Sequence, residues 1–235
     1  GNIALTKVDE DYPDNKLSGA VFEVYSDTNG DGKLDKDDTL LGEMKELDGG
    51  VYQMSELRYG KYLVKETKAP TGFVLDENVY AVSIEENGKT YTVENKAGVG
   101  FINAAQKGSL KIVKTSSDGK VEDFSFRVTG VDYDKTFKTD KNGEIVIEGL
   151  RIGDYTVSEV SDKASAGYIL PADKQVTVKV NATAIVQMHN EFRDTPKTGD
   201  DFNLGLWVSL SVLSVVGAGV LGFVGYKNRK KKKED

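Results

Sequence analysis

The feature that most constrains this chain is that it repeats itself. GGVYQMSELRYGKYLVKE (49–66) and NGEIVIEGLRIGDYTVSE (142–159) align without gaps, setting Gly50 against Gly143, Leu57 against Leu150, Gly60 against Gly153, Tyr62 against Tyr155 and Glu66 against Glu159. Upstream, IALTKVD matches LKIVKTS and aligns Lys7 with Lys114; downstream, VGFINAA matches VQMHNEF and aligns Asn103 with Asn190. A self-similar sequence on this scale builds the same unit twice. The units are read as 1–106 and 107–193.

Each unit reads as β-structure. Short alternating or β-branched runs such as VFEVY, YLVKE, YAVSI, YTVEN, SLKIVK, FSFRV, EIVIEGL, YTVSEV and QVTVKV are separated by Gly, Asn and Asp turns. Before the C-terminal tail no segment carries a helical period. Short strands at regular spacing in units of this size predict β-sandwiches with Greek-key connections.

The composition narrows the chemistry. Cysteine is absent and His189 is the only histidine, which removes disulfides, Cys-based metal sites and most Ser/His or multi-His zinc chemistry. The net charge is −7, yet the last nine residues, KNRKKKKED, are strongly basic, so the body is more acidic than the total and unsuited to nucleic acid. No set of nucleophile, base and orienting group is present, and an enzyme acting on a separate substrate is not expected. His189 is expected on the strand surface, on the face opposite Asn190.

From Leu204 to Tyr226 the sequence carries no charge, long enough for the ~20 residues that cross a ~30 Å hydrocarbon core. The basic tail 227–235 follows at once and belongs on the cytoplasmic side, leaving residues 1–203 outside. Export without a leader in the sequence leads us to read Gly1 as a cut end. Just outside the span stands Thr195-Pro196-Lys197-Thr198-Gly199. Pro196 holds Thr195 extended.

The order of Pro-x-Thr-Gly, apolar span and basic tail resembles the sorting signal of LPxTG-type Gram-positive surface proteins, with Thr195 where leucine is usual. The resemblance implies that a sortase cleaves between Thr198 and Gly199 and joins the Thr198 carboxyl to peptidoglycan, so that a membrane-spanning precursor becomes a wall-anchored extracellular protein. An ordinary membrane anchor with a Pro-Lys-Thr-Gly linker is the alternative.

The units bear a second resemblance. A lysine near the start, Tyr-x-x-x-Glu, and asparagine on the last strand are similar to the SpaA-type, or collagen-adhesin B-type, prealbumin-like domains of surface proteins and pilins. YLVKETKAPTGF (62–73) and LSGAVFEVY (17–25) carry the likeness in the first unit; YTVSEVSDKASAGY and DFSFRV are weaker counterparts in the second. What the resemblance implies is an all-β protein: two tandem prealbumin-like, Ig-like Greek-key sandwiches followed by one transmembrane helix within 194–235. It further implies intramolecular isopeptide bonds, Lys7 to Asn103 assisted by Glu66 and Lys114 to Asn190 assisted by Glu159. The other reading leaves these lysines and asparagines at edges or on the surface, with solvated glutamates.

The first unit is longer between Lys7 and Gly50 than the second between Lys114 and Gly143, and the excess contains DTNGDGKLDKDD (27–38). This fits a twelve-residue calcium loop, with Asp27, Asn29 and Asp31 as side-chain ligands, Gly32 at the sharp turn, the Lys33 carbonyl, Asp35 at position nine and Asp38 at position twelve. Asp38 in place of glutamate predicts weak binding; an Asp/Gly-rich turn without metal is the alternative. No other cofactor is expected. Tyr12-Pro13-Asp14 has aspartate where a polymerising pilin would have lysine. The function expected is a stalk or anchor-end pilin displaying a distal region, with sortase, peptidoglycan and possible pilin subunits as partners; the alternative is an adhesin module that binds a host or glycan ligand.

Overall fold

The computed structural model describes residues 1–193. The expected motif 195–199, transmembrane helix 204–226 and basic tail 227–235 lie outside the described residues. Among those described there are seventeen strands, no helix, and so no helix able to cross a membrane.

The first repeat forms β1 (Asn2–Asp9), β2 (Val21–Ser26), β3 (Thr39–Glu43), β4 (Lys45–Glu46), β5 (Val51–Met54), β6 (Gly60–Lys68), β7 (Val79–Ile84), β8 (Thr90–Thr92) and β9 (Phe101–Asn103). The second forms β10 (Lys107–Ser116), β11 (Ser125–Gly130), β12 (Tyr133–Lys138), β13 (Glu144–Arg151), β14 (Gly153–Glu159), β15 (Tyr168–Ile169), β16 (Lys174–Val178) and β17 (Thr183–Phe192). No sheet mixes strands of the two repeats. In the first, β4-β5-β1 is joined by β8 and β9 and faces β3-β2-β6-β7; in the second, β13-β10-β17-β15 faces β12-β11-β14-β16.

In both repeats the first strand pairs in parallel with the last. β10 runs beside β17 without interruption from Ser109↔Thr183 to Ser116↔Asn190. β1 instead meets two short pieces, β8 along Asn2–Ala4 and β9 along Lys7–Asp9. The run YTVEN, expected as a strand, is therefore strand only at its start: the chain leaves the sheet after Thr92 and returns at Phe101. The register at the functional end is nonetheless the same, with Lys7↔Phe101 and Asp9↔Asn103 in one repeat and Lys114↔Met188 and Ser116↔Asn190 in the other.

Alternation builds each core. Ile3 and Leu5 on β1, Phe22 and Val24 on β2, Tyr62 and Val64 on β6 and Phe101 on β9 are buried together; Leu110, Ile112, Phe126, Val128, Tyr155, Val157, Val186 and Met188 do the same in the second repeat. The aligned glycines have a physical reason. Gly50 and Gly143 sit at φ +82° and +77°, and a Cβ there would come within 2.8 Å of the Leu17 carbonyl oxygen and 2.7 Å of the Lys114 carbonyl oxygen. Their own carbonyls accept the Lys7 and Lys114 backbone N–H at 2.7 and 2.8 Å, fixing the strand that carries each lysine.

A short linker joins the repeats and is itself bonded: Gln106 N–H donates to the Gly72 carbonyl and Ile152 N–H to the Gln106 carbonyl. Arg151 reaches from the second repeat to the first and donates to both Asp9 carboxylate oxygens, at 2.6 and 2.9 Å, and to Asp11 at 3.0 Å. Lys107 adds an ion pair to Asp11 at 3.2 Å. Burial pushes the Asp9 carboxyl up, but the Arg151 guanidinium together with the backbone N–H groups of Asp11 and Tyr12 outweighs this and holds it below its ordinary value.

Candidate functional site

Three inward-facing rows end in polar residues at the same end of each sandwich. On β1 the row Ile3, Leu5 continues into Lys7; on β6 Tyr62, Val64 continues into Glu66; on β9 Phe101 is followed by Asn103. The second repeat repeats this with Leu110, Ile112, Lys114 on β10, Tyr155, Val157, Glu159 on β14 and Val186, Met188, Asn190 on β17. Lysine and asparagine sit on adjacent strands of one sheet, and the glutamate comes across the core from the other. All six side chains are buried, Lys7, Glu66 and Asn190 completely. The reading that left them on edges or on the surface does not hold.

Such burial is costly unless polar groups find partners. Asn103 Nδ2 donates to both Glu66 oxygens at 2.9 Å, and Lys7 Nζ lies 3.7 Å from Glu66 Oε1. The amine also donates to the Phe101 carbonyl at 3.1 Å and stands 4.9 Å from the centre of the Phe101 ring. Asp76 N–H donates to Glu66 Oε2 at 2.8 Å, a positioning contact that no sequence pattern announced. Burial pushes the Lys7 amine down to about 8, against the opposing pull of Glu66 and Asp76, and pushes the Glu66 carboxyl up.

The second site is looser. Asn190 Nδ2 donates to Glu159 Oε1 at 2.7 Å, but Lys114 Nζ turns to the Thr115 carbonyl at 2.5 Å and lies 4.2 Å from the Phe124 ring centre. Burial moves Lys114 down and Glu159 up here as well. Among the described residues three buried side-chain atoms have no hydrogen-bond partner: Asn103 Oδ1, Asn190 Oδ1 and Glu159 Oε2. All belong to these two sites. Buried orphans of this kind are rare and call for an explanation.

Chemically, the first site brings an amine that burial drives toward neutrality and an asparagine amide to one carboxyl, which accepts from the amide nitrogen; in the second the carboxyl also accepts from the amide nitrogen, while the amine faces the Thr115 carbonyl. The amide nitrogen would need a proton in order to leave.

The acidic loop 27–38 lies between β2 and β3. Asp27, largely buried, accepts Gly30 and Gly32 N–H at 2.7 and 3.1 Å; Gly30 and Gly32 have φ near +75°. Asn29 accepts Asp31 N–H, Asp31 accepts Lys33 N–H, Asp35 accepts Asp37 N–H, and Asp38 accepts both Thr28 and Asp35 N–H. The carboxylates thus close turns on the backbone, and among the described residues no group of three or more acidic, His or Cys side chains is placed to hold a metal. His189 is exposed, contacting Thr115 Oγ1 at 2.8 Å and Glu191 at 3.1 Å.

A tandem β-sandwich with a buried Lys, Glu and Asn in each half defines a structural class, and comparison with known families agrees. The model of the SpaA prealbumin-like fold domain matches twice, over residues 1–97 and 108–192, and the chain belongs to this family. No curated protein matches it. Among solved structures the Bacillus anthracis TIE protein is similar at 26% identity and a TM-score of 0.61 over 82% of this chain; the match spans only 34% of that chain. The pilus adhesin SpaC of Lactobacillus rhamnosus GG shares the fold at 13% identity and a TM-score of 0.50, over 81% of this chain and 31% of its own. A minor pilin of Streptococcus agalactiae aligns at 18% identity and a TM-score of 0.37, over 85% of this chain and 99% of its own.

Proposed function

We propose that this chain is a sortase-anchored surface stalk, or anchor-end pilin, whose two modules are each stapled by an isopeptide bond and hold a distal region away from the wall. The observation that carries the reading is the repeated buried triad with its orphaned amide oxygens. In each module the lysine Nζ attacks the asparagine Cγ; the new N–Cγ bond replaces the Cγ–Nδ2 bond, and Nδ2 leaves as ammonia. The glutamate takes the proton from the amine and delivers it to Nδ2. Folding supplies the proximity, which for well-oriented intramolecular groups amounts to effective molarities of about 10⁵ to 10⁸ M, so no separate catalyst is needed. The glutamate is consumed in no step.

The bond has a mechanical meaning in this topology. Lys7 and Asn103 lie on parallel neighbouring strands near the two ends of the module. Tension between the termini then loads a covalent bridge instead of shearing β1 from β9. The fold relationship to a pilus adhesin fits this role, as does the order of Thr195–Gly199, apolar span and basic tail. Incubating the full chain with sortase and an amine nucleophile is expected to give a product ending at Thr198 that carries the amine, and Thr198→Ala is expected to give none. A chain that no sortase class cleaves is an ordinary membrane protein.

A second element of the proposal is calcium on loop 27–38, held by Asp27, Asn29, Asp31, Asp35, Asp38 and the Lys33 carbonyl. It is favoured by the hard-oxygen donor set and by the glycine turns at Gly30 and Gly32. The ion would stiffen the β2–β3 connection. Calorimetry with millimolar calcium is expected to show heat that Asp27→Asn removes; absence of heat leaves a loop closed by its own hydrogen bonds.

A further inference from the structure

The junction between the modules has an uncovered twin. Arg151, which grips Asp9 and Asp11, aligns in the repeat with Arg58, and the backbone is built alike at the two places. Gly149 and Glu56 both adopt positive φ, at +69° and +61°. Tyr155 Oη donates to the Arg151 carbonyl at 2.9 Å, as Tyr62 Oη does to the Arg58 carbonyl at 2.8 Å. Gly108 pairs with Leu150 on the neighbouring strand; Gly1 exchanges N–H···O bonds with Leu57 at 2.7 and 2.9 Å.

What differs is cover. Arg151, Ile152 and Gly153 are half-buried, Arg151 against Asp9, Asp11 and Tyr12 of the first module, whereas Arg58, Tyr59 and Gly60 are exposed, Tyr59 to 68%. The Arg58 guanidinium has no partner among the described residues, and beside it opens a cleft of about 620 Å³ lined by Gly1, Leu57, Arg58, Tyr59 and Asn87.

We infer that this end of the first module is a docking face for a further β-module of the same family, one whose first strand ends in two carboxylates spaced as Asp9 and Asp11 are. Arg58 would chelate the nearer carboxylate as Arg151 chelates Asp9, and the Tyr59 N–H would meet the incoming linker as the Ile152 N–H meets the Gln106 carbonyl. The second module's own corresponding end is a poorer fit: it offers Ser116 and Asp118, and Asp118 is already bonded to Tyr168 Oη at 2.6 Å and to Ser116 Oγ at 2.7 Å. A second copy of this chain stacking through that end is therefore disfavoured. The inference stands on the junction and does not depend on the isopeptide chemistry.

The test is a full chain with one added copy of residues 1–106 placed ahead of Gly1. Because the chain has no cysteine, spin labels are introduced cleanly at Glu43→Cys and at Thr136→Cys, its structural counterpart on β12. Distances across the native junction and across the added one are then read separately. Both are expected to be single and narrow. Arg58→Ala is expected to abolish the narrow distance at the added junction alone, Arg151→Ala that at the native junction alone, and Asp9→Asn in the added copy is expected to act like Arg58→Ala. A broad distance at the added junction beside a narrow native one would overturn the inference. So would an added junction that stays narrow without Arg58, or a native junction that does not need Arg151.

Discussion

Glu66→Ala is expected to leave Lys7 and Asn103 unjoined and to cost the first module more stability than any other single change in it. Two losses add. An unclosed loop of nearly 100 residues forgoes roughly 4–5 kcal/mol of chain-entropy stabilisation, taking the isopeptide to act on the unfolded chain as a disulfide does. The buried Lys7, robbed of the carboxylate 3.7 Å away, is also left as an unpaired charge or forced neutral, which costs a further few kcal/mol. For a module of this size each kcal/mol moves the melting temperature by about 4–8 °C, so the fall is on the order of 20 °C or more. Scanning calorimetry reads it directly, and Glu66→Gln separates lost shape from lost chemistry.

The same pair sets the pH dependence of bridging. The lysine and glutamate titrate as a unit, and the reactive form holds one proton between them. With the amine pushed down to about 8 and the carboxyl pushed up by burial, that proton is present between the two values. As pH rises past about 8 the acid that must protonate Nδ2 is lost, and as pH falls below the Glu66 value the amine is protonated. A bell-shaped rate with its alkaline limb near pH 8 is expected when bridging is followed by mass during refolding; a rate that keeps rising above pH 9 would exclude Glu66 as proton carrier.

Phe101→Ala is expected to be the most damaging change in the first core outside the triad. Phe101 is fully buried and packs edge-on against Phe22 and Tyr80 at 4.9 and 5.1 Å between ring centres. Truncation costs about 3–5 kcal/mol in transfer and cavity terms. It also removes the ring beside Lys7 Nζ, so bridging is expected to slow as well as the module to weaken. Guanidinium unfolding would show a lower midpoint at unchanged slope, while Leu40→Ala, at a side chain 52% exposed, is expected to stay within about 0.5 kcal/mol of the parent. Equal effects from the two would mean that β9 does not close the core.

Much of the site was legible because strands alternate. A lysine continuing the row Ile3, Leu5 and a glutamate continuing Tyr62, Val64 are charged residues in core positions, and such a pattern recurring in two repeats is hard to produce without chemistry to justify it. The break between β8 and β9 was not legible, since VENKAGVG carries no signal that separates a turn from a bulged continuation. The Arg151–Asp9 clamp was missed for another reason. Arg58 and Arg151 stand in register within the aligned repeat, but one arginine is exposed and the other holds two carboxylates far away in sequence, a pairing that only the packing of one module on the next creates. Asp76 was missed because it acts on Glu66 through its backbone N–H, which any residue but proline supplies.

The central claim is tested most directly by the intact mass of the denatured full chain beside its Glu66→Ala and Glu159→Ala variants. The expected result is a parent lighter than its sequence by two ammonia molecules, with each variant recovering one, and fragments in which Lys7 is joined to Asn103 and Lys114 to Asn190. A parent of full unmodified mass after complete folding would contradict the account, and would reduce the buried lysines, glutamates and asparagines to a polar layer in two ordinary β-sandwich spacers.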